Sequence, residues 1–299
     1  MSGAAQGYLV TGARGQLGSA LVARLAQRGE RVVAKGAEEL DVADERALAQ
    51  ALERERPAVV LNAAAYTDVD GCERDAARAE AVNARAPAVL ARLCASAGAT
   101  LVHVSTDYVF DGLATRPLRE DDPVGPLSTY ARSKLAGERA VLEASSDVLV
   151  LRTSWVYGRG RNFVATMVAR ARALRADPAL GPLRVVDDQH GSPTWAEDLA
   201  DGLLALLSRR ARGLYHLANR GVASRLELAR FALDVAGYAD LEIVPVKTAD
   251  FPLPAQRPLY SALDCARAER LGVALRPWRE AVRAYLAGEP LAGAAARGT

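Results

Sequence analysis

Short, continuously apolar runs alternate with stretches of helical period through the first half of this 299-residue chain. Few folds accept that alternation. The runs at 8–10, 31–34, 58–62, 100–105 and 148–152 suit strands buried on both faces rather than strands with one wet face. Between them, Leu17, Leu21, Val22 and Leu25 recur at helical spacing and stop near Gly29. A second helical pattern over 45–56 ends at Pro57, a third over 86–97 follows an alanine-rich loop and ends at Gly98, and a fourth covers 130–143. Strand and helix repeated in this way predict an α/β chain whose parallel sheet is covered by helices on both sides.

The turn between the first strand and the first helix is Gly12-Ala-Arg14-Gly15-Gln16-Leu17-Gly18. Three glycines have a physical use there: a tight turn, close approach of the backbone to a pyrophosphate, and close helix–strand packing. The helix N-terminus adds free N–H groups and partial positive charge. The loop therefore predicts dinucleotide binding on a Rossmann-type, doubly wound parallel sheet. An acidic residue closing the second strand would hold the 2′-hydroxyl of NAD. This chain has Lys35-Gly36 there, and Arg14 inside the loop. Two cations suit the 2′-phosphate of NADP through charge-assisted hydrogen bonds. NADPH is the expected cofactor, and NADH stays open as an alternative.

After Arg152 the alternation becomes irregular. Helices are predicted over 162–175 and 198–207, and strands near 183–187 and 215–218. From Ala223, two helical stretches flank the Pro-rich 251–258. The chain thus divides into a dinucleotide-binding domain (1–158 and 183–218) and a smaller C-terminal substrate-binding lobe (159–182 and 219–299), with a frayed Gly/Ala tail after Gly288.

Thirty-eight basic against 36 acidic side chains leave a net charge of +2, which argues against the broad basic surface of a nucleic-acid binder. Cys72, Cys94 and Cys265 are isolated, and His103, His190 and His216 have no ligand-like spacing. Neither a disulfide framework nor a metal site is expected. No apolar run reaches the length of about 18 residues that a membrane span needs, and the N-terminus has no secretory pattern. A cytoplasmic chain is the expectation.

Tyr130-Ala-Arg-Ser-Lys134 opens a predicted helix, and the i, i+4 spacing puts a phenol and an ammonium on one face. A neighbouring ammonium favours phenolate, lowering a pKa that is ordinarily about 10. Tyrosine then becomes usable as a general acid–base near neutrality. Ser105-Thr106-Asp107 follows the fourth strand at its carboxyl end, the edge where open α/β sheets bind ligands. A hydroxyl there can donate to a substrate carbonyl oxygen beside the tyrosine; spacing alone does not separate Ser105 from Thr106. The set predicts hydride transfer from a nicotinamide to a ketone, with Tyr130 delivering the proton and Lys134 bonding the nicotinamide ribose.

Several longer strings carry a family resemblance. Asn62-Ala-Ala-Ala-Tyr-Thr-Asp-Val-Asp70, Val82-Asn83, His103-Val-Ser-Thr-Asp-Tyr-Val-Phe-Asp-Gly112, Leu151-Arg-Thr-Ser-Trp-Val-Tyr-Gly158, Asp188-Gln-His-Gly-Ser-Pro-Thr194 and Arg257-Pro258 resemble the dTDP-4-dehydrorhamnose reductases, within the extended short-chain dehydrogenase/reductase superfamily. The match runs over about 8–285. It implies NADPH-dependent reduction of the C4 ketone of dTDP-4-dehydro-L-rhamnose to dTDP-L-rhamnose. By resemblance, Thr106, Tyr130 and Lys134 are catalytic, and Thr106, Asp107, Tyr130 and Trp155 meet the sugar. An indole suits a deoxysugar because it offers an apolar face and one donor. Arg257 is the candidate for the substrate diphosphate, since guanidinium forks match phosphate oxygens. Asp41, Val42, Ala63, Ala64, Ala65, Tyr66, Thr67 and Val104 line the cofactor in the same picture, with Lys35, Tyr130 and Lys134.

Some members of that family hold a divalent cation at a dimer contact, through a glutamate two residues after the third glycine. Ala20 stands there in this chain, so neither that metal nor metal-linked dimerisation is expected, and a monomer or weak homodimer is. Two readings stand beside the main one. One is a reductase of another dTDP-4-keto-6-deoxy sugar. The other is a non-catalytic NADP-binding regulatory subunit similar to that of methionine adenosyltransferase, against which the intact Thr106, Tyr130 and Lys134 set counts.

Overall fold

The structure, a computed structural model, describes residues 7–288; the tail expected to fray lies outside them. Strands β1 (Gly7–Thr11), β2 (Arg31–Lys35), β3 (Val59–Asn62), β4 (Thr100–Thr106) and β5 (Val148–Thr153) join Gly213–His216 in one sheet. Its order is Gly213–His216, β5, β4, β3, β1, β2, and every pairing is parallel. The chain steps from β1 to β2 and then crosses back to β3 on the other side of β1. That reversal leaves a crevice outside the carboxyl ends of the strands.

Both faces of the sheet are apolar because side chains alternate along each strand. Tyr8, Val10, Val59 and Leu61 point to one side, where helix α1 (Gln16–Gln27) and the helix Ala196–Ser208 bury Leu21, Leu25, Leu199 and Leu203 on them. Leu9 and Val60 point to the other, against Leu48 of α2 (Glu45–Glu55) and Leu90 of the helix Ala86–Ala97. Each such fully buried leucine contributes about 1.5–3 kcal/mol. Asp44 starts α2 by accepting hydrogen bonds from the amides of Arg46 and Ala47.

The segment expected as an alanine-rich loop instead holds α3 (Val69–Arg74), α4 (Ala76–Glu80) and one π-helical turn, Ala81–Arg85. Asp68 and Asp75 cap the two short helices. The turn runs straight into α5 (Ala86–Ala97), and α6 (Thr129–Ala144) starts at Ser128, which caps it through the Ala131 amide.

Outside the main sheet the chain forms α7 (Phe163–Ala176) and two parallel strands, Leu183–Val186 and Ile243–Val246. Sequence places Leu183–Val186 with the dinucleotide-binding segments; the structure pairs it with Ile243–Val246, apart from the main sheet. Leu183 and Val185 pack there with Ala229, Leu233 and Ile243, and an apolar run this short does not declare which sheet will bury it. The chain then returns to the main sheet through α8 (Ala196–Ser208) and Gly213–His216 before α9 (Arg225–Val235). Two further helices, Ala266–Glu269 and Trp278–Gly288, follow, one more than the sequence pattern indicates after Ala223. No helix among the described residues is long and apolar enough to cross a membrane.

Candidate active site

The carboxyl ends of β1, β3, β4 and β5 open into a cavity of about 640 Å³. Of the residues that sequence assigns to the cofactor, all line it except Gly18 and Lys35. Gly12 has φ +64°, and a Cβ there would lie 2.6–2.7 Å from the backbone of Ala63 and Ala64. A side chain would wedge β1 from β3. Gly18 acts one layer behind: its Cβ would fall 2.1 Å from the Gly12 carbonyl oxygen, so only glycine lets α1 begin against the loop. No side chain caps α1, which leaves its first N–H groups to an anion.

The two-cation reading needs correcting. Lys35 does not line the cavity; its carbonyl accepts the Ala13 amide at 3.0 Å. Arg14 does line it, but pairs with Glu38 and Glu39. Glu39 also accepts the Gly36 amide at 2.7 Å, so the turn after β2 brings a carboxylate back over the strand end. A nicotinamide dinucleotide nonetheless fits. Gln16 Oε1 and Thr153 Oγ1 are buried lining atoms without a hydrogen-bond partner among the described residues, and a buried polar atom in a cavity is stable only with a partner.

Thr106 from β4, and Tyr130 and Lys134 from α6, line the cavity together. The Thr106 hydroxyl lies against the Tyr130 phenol and favours its ionised form. Ser105 also reaches the lining, but its Oγ donates to Glu138 Oε2 at 2.7 Å. Glu138 in turn holds Arg152 through two contacts, 3.0 Å at Nε and 2.5 Å at Nη2, with both side chains under 5% exposed. That buried pair turns Ser105 inward and leaves Thr106 as the hydroxyl beside the phenol.

Electrostatics here differ from the sequence expectation. Lys134 Nζ donates to the Val104 carbonyl at 2.6 Å, and burial pushes its ammonium down to about 8. Burial also raises the Tyr130 phenol above its ordinary value, only partly offset by the Thr106 hydroxyl. Spacing promises a depressed phenol; desolvation outweighs the Thr106 contribution and keeps it protonated.

Asp107 is buried and accepts from Ser154 at 2.8 Å, Ser261 at 2.5 Å and Thr106 at 3.1 Å. Burial still pushes it up to about 6. Trp155 lines the same end of the cavity. Arg257 does not: its guanidinium grips Asp70 at 2.9 and 2.7 Å, and Asp70 also accepts the Ala255 amide. It staples the Pro-rich segment to α3 outside the cavity lining.

Sequence patterns missed Thr153 and Arg78, which also line the cavity. Arg78 sits on α4 and lies over the Tyr66 ring at 5.1 Å. The aspartates at 68 and 75 were the available helix-start signals. Asn83, in the π-helical turn, pins the Tyr66 amide and carbonyl at 2.8 and 3.0 Å and reaches Ser133 of α6 at 3.2 Å. It ties the loop after β3 to the helix that carries Tyr130. Among the described residues, no group of three His, Cys, Asp or Glu side chains is placed to hold a metal ion.

The RmlD substrate binding domain family model matches residues 7–289. A dTDP-4-dehydrorhamnose reductase of Mycobacterium tuberculosis is 47% identical over 295 residues, covering 96% of this chain and 94% of that protein. A Streptomyces antibioticus protein described as a probable dTDP-4,6-dihydroxy-2-methyloxan-3-one 4-ketoreductase is 45% identical, covering 92% of this chain and 93% of its own length. Among solved structures, the dTDP-4-dehydrorhamnose reductase of Bacillus anthracis in complex with NADP superposes with a TM-score of 0.90 at 31% identity. It covers 96% of this chain and 100% of its own.

Proposed function

The chain belongs to the RmlD substrate binding domain family, that of the dTDP-4-dehydrorhamnose reductases, and on that premise we propose that it reduces the C4 ketone of dTDP-4-dehydro-L-rhamnose with NADPH. The product is dTDP-L-rhamnose. The observation that carries the reading is the meeting of Thr106, Tyr130 and Lys134 in one cavity with the Gly12–Gly18 loop.

NADPH, when bound, supplies the hydride. Gly12, Gly15 and the uncapped start of α1 hold its pyrophosphate, Asp41 and Val42 its adenosine, and Gln16 and Thr153 offer the polar atoms that lack partners. Tyr130 is the proton donor. Burial keeps the phenol protonated through the neutral range, so the acid form is already present when charge develops on the C4 oxygen. Thr106 gives a second hydrogen bond to that oxygen by turning its one O–H away from Asp107. Lys134, largely ammonium at neutral pH, stabilises the tyrosinate left behind. General-acid help of this kind contributes about 10²–10⁴-fold. Asp107 and Trp155 face the sugar, and the lobe of 159–182 and 219–299, with Leu183–Val186, takes the nucleotide. Three free cysteines fit a reducing compartment, and we place the chain in the cytoplasm as a monomer or weak homodimer.

The test is to mix the protein with NADPH and a panel of dTDP-4-keto-6-deoxy sugars, following cofactor absorbance and product configuration. Mole-for-mole loss of NADPH with dTDP-4-dehydro-L-rhamnose supports the proposal. A marked preference for another 4-keto sugar moves the assignment toward the chemistry of the Streptomyces antibioticus relative. Binding of NADPH without turnover of any sugar favours a regulatory subunit.

A further inference from the structure

We propose that Arg225 is a positioning residue for this reaction, its guanidinium holding the Trp155 indole flat as the wall of the cavity's substrate end. The inference rests on the reductase reading and adds a residue that neither the motifs nor the cavity lining contain.

Trp155 sits at φ +47°, a left-handed backbone that a bulky side chain adopts only where its surroundings over-determine it. Those surroundings are identifiable. On one side is Gly191, where a Cβ would fall 2.4 Å from the indole Cε2 and 2.7 Å from Nε1. No side chain fits at 191, so the indole lies directly on backbone. The Arg225 Cζ stands 3.6 Å from the centre of the indole ring and 5.1 Å from that of the Phe163 ring. The Tyr108 phenol also lies close to the guanidinium and favours its charge. The Arg225 backbone is tied down by the same short ladder that carries Gly191. Ala223 and Ser224 pair with Gly191 and His190, and the Arg225 amide donates to the Gln189 carbonyl at 3.1 Å.

Local electrostatics oppose a cation at this position. Arg225 is the first residue of α9, where the helix dipole disfavours positive charge. Burial and the nearby Arg257 both disfavour its charge as well. Among the described residues, no carboxylate lies within ion-pair distance of it. The indole face compensates by a desolvated cation–π contact. Asp107 and Tyr108 favour the charge from nearby but do not offset burial, so the indole contact is the direct support this cation has.

The test compares Arg225→Lys, which keeps the charge but loses the planar face, and Arg225→Gln with Trp155→Phe and the Arg225→Gln/Trp155→Phe double variant. NADPH affinity, kcat and KM for dTDP-4-dehydro-L-rhamnose, and tryptophan emission are measured on each. Both Arg225 variants should lose at least about tenfold in kcat/KM, mostly through KM, with NADPH affinity within about twofold of the parent. On the Trp155→Phe background, Arg225→Gln should change KM by less than about twofold more, and its emission shift should vanish. Full kcat/KM in Arg225→Lys, losses that multiply in the double variant, or a parallel fall in NADPH affinity overturns the inference. A parent protein that reduces no sugar refutes the reductase reading instead. The emission shift then decides the clamp alone: present only with Trp155, it supports the inference; absent, it overturns it.

Discussion

Replacing Glu138 by leucine tests how the floor of the site is held. Glu138 and Arg152 form an ion pair with side-chain exposures of 2% and 4%, on α6 and β5 respectively. Without the carboxylate, Arg152 keeps, among the described residues, the Glu120 carbonyl and His216 Nε2, both at 3.4 Å, and the Phe110 ring 5.0 Å away. Stranding one member of a buried pair costs about 3–5 kcal/mol. The Ser105 hydroxyl loses its acceptor as well, adding about 1 kcal/mol. Against a total stability of about 5–15 kcal/mol, Glu138→Leu should be marginally folded. Glu138→Leu/Arg152→Met removes the stranded cation and should recover at least about 2 kcal/mol, since apolar replacement of a buried pair is often neutral. Urea unfolding at neutral pH, followed by tryptophan emission and far-UV circular dichroism, reads both. A loss below about 1 kcal/mol in the single variant, or a double variant no more stable than the single, refutes the reasoning.

Tyr130→Phe should lower kcat by about 10²–10⁴-fold while leaving NADPH affinity nearly unchanged; near-parental turnover would remove Tyr130 as proton donor. Because burial holds Lys134 near 8, its charge is lost above that value, and turnover with saturating NADPH should fall on the alkaline side of about pH 8. Lys134→Arg keeps the charge, so an alkaline limb that stays near 8 in that variant would assign the limb to another group. Burial pushes His216 from its ordinary 6.5 down to about 3. Within that window the unfolded chain binds the proton and the native chain does not, so stability falls as pH falls, by about 1.4 kcal/mol per unit. Urea midpoints of His216→Gln should flatten below pH 6.5; slopes equal to the parent's would contradict the assignment.

The parallel sheet was legible because β1, β3, β4 and β5 are runs that both helical layers bury, while β2, on the edge and only half-buried, still reads as a short apolar run. The glycine loop and the Thr106, Tyr130, Lys134 set were legible for a related reason. Each is local to one strand end or one helix start, and parallel topology brings those ends to one edge. Pairings across long separations were not. Arg257 finds Asp70 over 187 positions, and Arg14 finds Glu39 over a turn that the motif hides. Residue type alone made both arginines look free for phosphate. Spacing placed Lys134 beside Tyr130 but carried no measure of desolvation, which reverses the expected shift of the phenol. The short α3 and α4 were hidden because six and five residues are too few to show a helical period, which leaves their aspartate caps as the signal. Arg225 left no pattern at all, since its partner Trp155 meets it only in the folded chain.

Hydride delivery to the sugar is tested most directly by incubating the protein with NADPH deuterated at nicotinamide C4 and dTDP-4-dehydro-L-rhamnose, then locating the label by mass spectrometry and NMR. Deuterium at sugar C4 of dTDP-L-rhamnose, one atom for each cofactor oxidised, is the expected result. Cofactor that keeps its label while the ketone persists, or reduced sugar that carries none, would contradict it.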